Sequence, residues 1–188
     1  MRTLRTVVAL ALLLCAVRSA RAHRRDSEPS RLYTHGVFAV TGGLGTYDPA
    51  SSDGTAPNLF GGVRFIKPYA QDATYDFSST QFSLSRDFHD PDHVATFELS
   101  FSNYLPRTDL FTFDHHFFYG AGLATALVER TGQETLALPA GTFLAGLQSR
   151  LPGFDLESSV KLVVGPRRHV YDASGMMTQI AIVYPLGE

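Results

Sequence analysis

Between Val94 and Tyr104 the chain reads VATFELSFSNY, so Ala95, Phe97, Leu99 and Phe101 alternate with Thr96, Glu98, Ser100 and Ser102. Successive side chains of a strand point to opposite faces, which makes this a strand with one apolar and one polar face. Similar segments recur from residue 32 to the C-terminus, and about ten alternating residues is the length that crosses a bilayer as a tilted strand. The recurrence predicts an all-β fold, an eight-stranded antiparallel up-and-down transmembrane β-barrel. After residue 22 no segment approaches the run of about eighteen apolar residues that a spanning helix needs. Capped stretches of helical period are absent as well, which leaves an α/β enzyme fold without support.

The first 22 residues, MRTLRTVVALALLLCAVRSARA, have the three parts of a secretory signal: Arg2 and Arg5, an apolar run from Val7 to Val17, and small residues ending in Ala20-Arg21-Ala22. The run, about eleven residues, is too short for a membrane anchor. Residues 1–22 are therefore read as a removable export signal, 23–30 (HRRDSEPS) as a charged tail, and 31–188 as the barrel domain. Cys15, the single cysteine, lies inside the signal, so the mature chain forms no internal disulfide. An exported domain of this size without disulfides needs a full core or a closed hydrogen-bonded barrel, which favours a bacterial envelope protein. The net charge of −2 gives no basic excess for nucleic acid.

The expected strands are 32–44, 59–67, 80–87, 94–104, 113–128, 138–151, 154–164 and 176–184. In the seventh, Phe154, Leu156, Val160, Leu162 and Val164 face one way while Asp155, Glu157, Ser159 and Lys161 face the other. The polar faces are mostly Ser, Thr, Gln and Gly with scattered charges, which suits a narrow packed lumen better than a wet exterior. Arg64, Glu98, Arg150, Asp155, Glu157 and Lys161 supply three charges of each sign, able to neutralise one another where unpaired burial is costly. A soluble lipocalin-like binding barrel, with the apolar face inside, is the competing all-β reading. An open porin is disfavoured because eight strands leave an interior filled by side chains. Phe111, Phe113, Phe117, Phe118, Tyr119, Tyr104 and Tyr184 are the expected aromatic girdles.

Signal, eight alternating strands and uneven loops together resemble the small eight-stranded outer-membrane barrels of the OmpA and OmpX kind, over residues 31 to 184. That resemblance implies a place in a Gram-negative outer membrane, insertion by the barrel assembly machinery, and contact with membrane lipid and lipopolysaccharide. It implies no particular function. Such barrels usually end on an aromatic residue, whereas here Pro185-Leu186-Gly187-Glu188 follows Tyr184. The segments GAGLATALVER and LALPAGTFLAGL, with the Gly165-Pro166 loop, are also similar to the outer-membrane lipid A palmitoyltransferase. The first outer loop holds no His, and Ser102-Asn103-Tyr104 follows the fourth strand in place of that family's Asp-Ser, so no catalytic residue carries over.

Two loops hold candidate chemistry. His89, Asp90, Asp92 and His93 could bind a divalent ion such as zinc, although a solvated turn explains the same residues. In the last loop Arg167 and Arg168 suit bidentate contact with lipopolysaccharide phosphates. There His169, Asp172 and Ser174 are the candidate base, orienter and nucleophile of a lipid A acyltransferase or deacylase. His115 and His116 are read as polar interface residues at a strand start. Without a glycine-rich phosphate loop, CxxC pair or HExxH segment, no cofactor is expected, and the balance leans away from an enzyme.

Overall fold

A computed structural model describes residues 35–50, 54–69, 74–88, 92–110, 113–130, 132–168 and 171–186. The expected export signal, the tail and the first residues of the expected first strand lie outside them. The strands are β1 (Val37–Pro49), β2 (Ala56–Pro68), β3 (Phe77–Asp87), β4 (Asp92–Tyr104), β5 (Thr108–Leu110), β6 (Phe113–Arg130), β7 (Leu136–Leu151), β8 (Phe154–Val164), β9 (Arg167–Arg168), β10 (Tyr171–Asp172) and β11 (Gly175–Leu186). The long strands pair antiparallel in the order β4-β3-β2-β1-β11-β8-β7-β6, and β6 closes the ring on β4. The chain is thus a closed eight-stranded up-and-down barrel, in which every stave finds ladder partners on both sides.

The faces are inverted relative to a water-soluble barrel. Leu44, Leu59, Phe82, Leu99, Leu123 and Phe143 stand exposed outside, whereas Arg64, Glu98, Ser100, Gln148, Glu157 and Lys161 are buried inside. The alternative of a soluble barrel with an apolar interior therefore does not hold. The interior is nonetheless layered. Tyr47, Val94, Val128, Leu138, Val163 and Met177 form an apolar layer toward the end that carries the 165–174 connection, and Ile66, Phe77, Tyr104, Phe118 and Val183 fill the end where β1 begins and β11 ends. Arg64, Glu98, Glu157 and Lys161 lie between these two layers, while Asp155 stands across from Val183 at the level of the second.

Several expectations need correction. Tyr104 and Phe118 belong to the interior and not to a girdle: Tyr104 stacks on Phe77 at 4.2 Å and on Phe118 at 5.0 Å. Both fall on inward positions of their strands, a phase that outweighs the tendency of aromatics to sit at an interface. His115 and His116 are also buried. The His115 ring Nδ1 meets Ser149 Oγ at 2.8 Å, and His116 Nδ1 lies 3.0 Å from Leu105 O. Thr46–Pro49 and Ala56–Asn58, read as loop because of their turn-forming residues, extend β1 and β2, since the ladder continues through Pro49↔Gly175 and Tyr47↔Ala56. The loops are less uneven than expected, because the connections 69–76 and 105–112 are not short.

Pro152-Gly153 makes the tight turn between β7 and β8, and Gly153 takes φ +86°, a left-handed conformation that glycine adopts without a Cβ clash. Gly146 has a different task. A Cβ there would press on Ser158 O and come 2.7 Å from the Phe118 ring, so the glycine lets Phe118 lie flat over the β7 backbone. Gly146→Val is expected to destabilise the barrel by about 1–3 kcal/mol through overpacking, measured as a lower urea midpoint in detergent. An unchanged midpoint would contradict this packing.

Candidate functional site

The best-defined constellation is the charged middle of the lumen. On β8, Glu157 and Lys161 are four residues apart and share the inward face. Glu157 reaches past β11 and β1 to Arg64 on β2 because the intervening inward residues are small: Ala181 stands across from Glu157, and Ala39 across from Arg64. The pair is bidentate, Nη1 to Oε1 at 2.6 Å and Nη2 to Oε2 at 2.8 Å. Arg64 also donates to Gln81 Oε1 from Nε at 2.8 Å and from Nη2 at 2.5 Å, and to the Tyr104 hydroxyl from Nη1 at 2.9 Å. That accounts for all five N–H donors of a guanidinium. Tyr104 passes the contact on, donating to Glu157 Oε1 at 2.9 Å.

A second bridge crosses the opposite wall. Lys161 Nζ donates to Glu98 Oε2 at 2.5 Å, and Thr142 Oγ1 donates to Glu98 Oε1 at 2.7 Å. Glu98 lies across from Ala124 on β6, another small inward residue that leaves the lysine its path. Asp155 accepts from Gln148 Nε2 at 2.7 Å, and Arg150 stands directly across from it in register. The six expected lumen charges thus fall into two salt bridges and one cross-strand neighbour pair. Charge alone did not reveal Gln81, Tyr104, Thr142 and Gln148 as their partners. The signal available for three of them was the inward phase of Gln81, Thr142 and Gln148. Chemically the carboxylates are satisfied within the barrel: each is bonded by a neutral or cationic donor from another strand.

The last loop is a small hairpin in which Arg167 pairs with Asp172 and Arg168 with Tyr171. The side chains of Arg167 and Arg168, and all of His169, lie outside the described residues. Asp172 Oδ1 accepts from Ser174 N at 2.9 Å. Ser174 Oγ donates to Gly165 O at 3.0 Å and accepts from Gly165 N at 3.1 Å. Ser174 O in turn accepts from Ala50 N at 2.9 Å and the Tyr47 hydroxyl at 3.2 Å. These bonds lock the two legs of the loop together and seat the buried Ala173 over the upper apolar layer. Of the other group, His89 and Asp90 lie outside the described residues, Asp92 begins β4, and His93 is half-buried. Among the described residues no three His, Cys, Asp or Glu side chains gather as a metal site.

Fold and lumen together define a closed, filled, inverted barrel. No protein-family model matches the chain, and no curated protein matches it. Solved structures do. The N-terminal β-barrel domain of Pseudomonas aeruginosa OprF is similar with a TM-score of 0.55 and 15% identity, over 79% of this chain and 97% of that one. Neisserial surface protein A is similar with a TM-score of 0.53 and 12% identity, over 78% and 96%. The outer membrane enzyme PagL is similar with a TM-score of 0.50 and 10% identity, over 80% and 99%. At these identities the likeness is one of fold: the small eight-stranded barrel that outer-membrane proteins adopt.

Proposed function

We propose that the chain is an outer-membrane barrel with a structural, interaction or surface lipid-contact role, exercised at its loop-bearing rim through contact with lipopolysaccharide. One observation carries the reading: the exposed leucine and phenylalanine belt surrounds an interior of buried, paired charges. In water that distribution would leave a large apolar surface exposed, whereas in a bilayer it places each face in its own solvent. No helix of the described residues is long and apolar enough to span a membrane, so the strands would do so. With the lumen occupied by its own side chains, partners are met at the rim, where Arg167 and Arg168 would engage lipid phosphates.

The test is expression with membrane fractionation followed by purification in detergent. The protein is expected in the outer-membrane fraction, with faster gel migration unboiled than boiled, and with lipopolysaccharide that Arg167→Ala/Arg168→Ala retains less well. Lipid A of unchanged intact mass with and without the protein would separate this role from acyl-chain chemistry. Recovery in the soluble fraction without detergent would overturn the membrane reading.

A further inference from the structure

At the end where β1 begins and β11 ends, Tyr69 and Tyr75 lie against the outer wall of the barrel. Tyr69 and Asp76 extend the ladder: Tyr69 N donates to Asp76 O at 3.0 Å, and Asp76 N to Tyr104 O at 3.0 Å. This anchors Tyr75 so that it reaches across β4 to β6, where its hydroxyl meets that of Tyr119. The Tyr69 hydroxyl donates to Asn103 Oδ1 at 3.1 Å. The rings form a run, with Tyr69 and Tyr75 centroids 6.2 Å apart and Tyr75 and Tyr119 6.0 Å apart. Lys67 precedes Tyr69 by two positions and is exposed. Its ammonium makes no bond to any described residue.

Hydrogen-bond donors are in surplus here. Two hydroxyls that meet can share only one hydrogen, which leaves the other hydroxyl hydrogen of the Tyr75–Tyr119 pair uncommitted. Asn103 uses its carbonyl oxygen and keeps its amide hydrogens, and the Lys67 ammonium adds its own. The Asp76 carboxylate faces the other way, with Oδ2 accepting from Arg107 N at 3.2 Å and standing 3.5 Å from His116 Nδ1. Next to this patch, away from the barrel end, the outer wall turns apolar at Phe82 and Phe101. A cation and spare hydroxyl and amide donors above an apolar wall match an anionic headgroup carried on acyl chains.

We infer that Lys67, Tyr69, Tyr75, Asn103 and Tyr119 bind the phosphate of a glycerophospholipid in the leaflet on the side where β1 begins and β11 ends, its acyl chains lying over Phe82 and Phe101. The inference rests on the membrane-spanning reading above, and goes beyond it by placing a phosphate site at the rim opposite Arg167 and Arg168. Ordinary aromatic anchoring would hold the protein at headgroup depth without preferring any lipid. A phosphate site predicts selectivity.

The full chain in detergent, examined by native mass spectrometry, separates the two. With phosphatidylglycerol added, one retained lipid is expected. Occupancy should fall about tenfold in Lys67→Ala/Tyr75→Phe, the effect of losing a charge-assisted hydrogen bond. Diacylglycerol with the same chains and free glycerol 3-phosphate are both expected to wash off. Equal retention of phosphatidylglycerol by a variant that still migrates as folded would overturn the site. So would diacylglycerol held as well as phosphatidylglycerol, which would mean generic apolar anchoring, or glycerol phosphate held alone, which would mean a soluble ligand. A chain found soluble without detergent would sink the membrane reading itself, a result separable from any lipid occupancy.

Discussion

Glu157→Leu is expected to cost about 3–5 kcal/mol, because it strands the Arg64 guanidinium without its counter-ion inside the barrel. Exposed ion pairs contribute only about 0–1 kcal/mol, since water screens them and two long side chains must be ordered. Arg64 and Glu157 are not in that class, as their side chains are 7% and 5% exposed. The cost of the single change is the cost of an orphaned charge and is not a measure of the pair's net worth. Replacing both partners by apolar residues of similar volume, Arg64→Met with Glu157→Leu, should therefore recover most of the loss. Urea midpoints of the two variants in detergent check this, with unboiled gel migration as the test of folding. A double variant no more stable than Glu157→Leu alone would show that Gln81 and Tyr104, left without Arg64 and Glu157, matter more than the charge.

The period of two made the barrel legible in the sequence. Phe82 and Leu84 fall outside, and Ser83, Glu98, Glu157 and Lys161 inside, as alternation alone assigns them. Strand ends were less legible, because Asp48, Pro49 and Pro57 are turn formers that sit in ladders here. Cross-strand pairing with β11 and β2 overrides their local preference. Aromatics were the least legible, since a tyrosine suits both a membrane interface and a packed interior. Only the strand phase, with room made by Gly146, decides that Tyr104 and Phe118 point inward and stack. Which charge meets which was beyond sequence reasoning for a further reason. Arg64 and Glu157 are separated across β1 and β11, so their meeting depends on barrel closure and on small residues of strands between them. The loop residues carry no periodic signal at all, which is why the rim constellation around Ser174 emerges only from its hydrogen bonds to Gly165.

Leu123→Arg is the change that most sharply separates a membrane barrel from a soluble one. Leu123 is 77% exposed, near the middle of β6, with the outward-facing Leu99 directly across the ladder on β4. On a water-facing surface, replacing so exposed a leucine with arginine shifts stability by no more than about 0.5 kcal/mol. At the midplane of a bilayer the same change costs about 2–4 kcal/mol, falling to about 0–1 kcal/mol near the interfaces. Phe88, 50% exposed just past the end of β3 and donating its N–H to Pro57 O at 3.0 Å, provides the rim position. Refolding into phosphatidylcholine vesicles followed by urea titration should then give a large loss for Leu123→Arg and a small one for Phe88→Arg. The depth dependence is the diagnostic, because a local packing defect has no reason to scale with distance from the barrel ends. Equal, small effects at both positions would mean that the apolar belt does not face hydrocarbon.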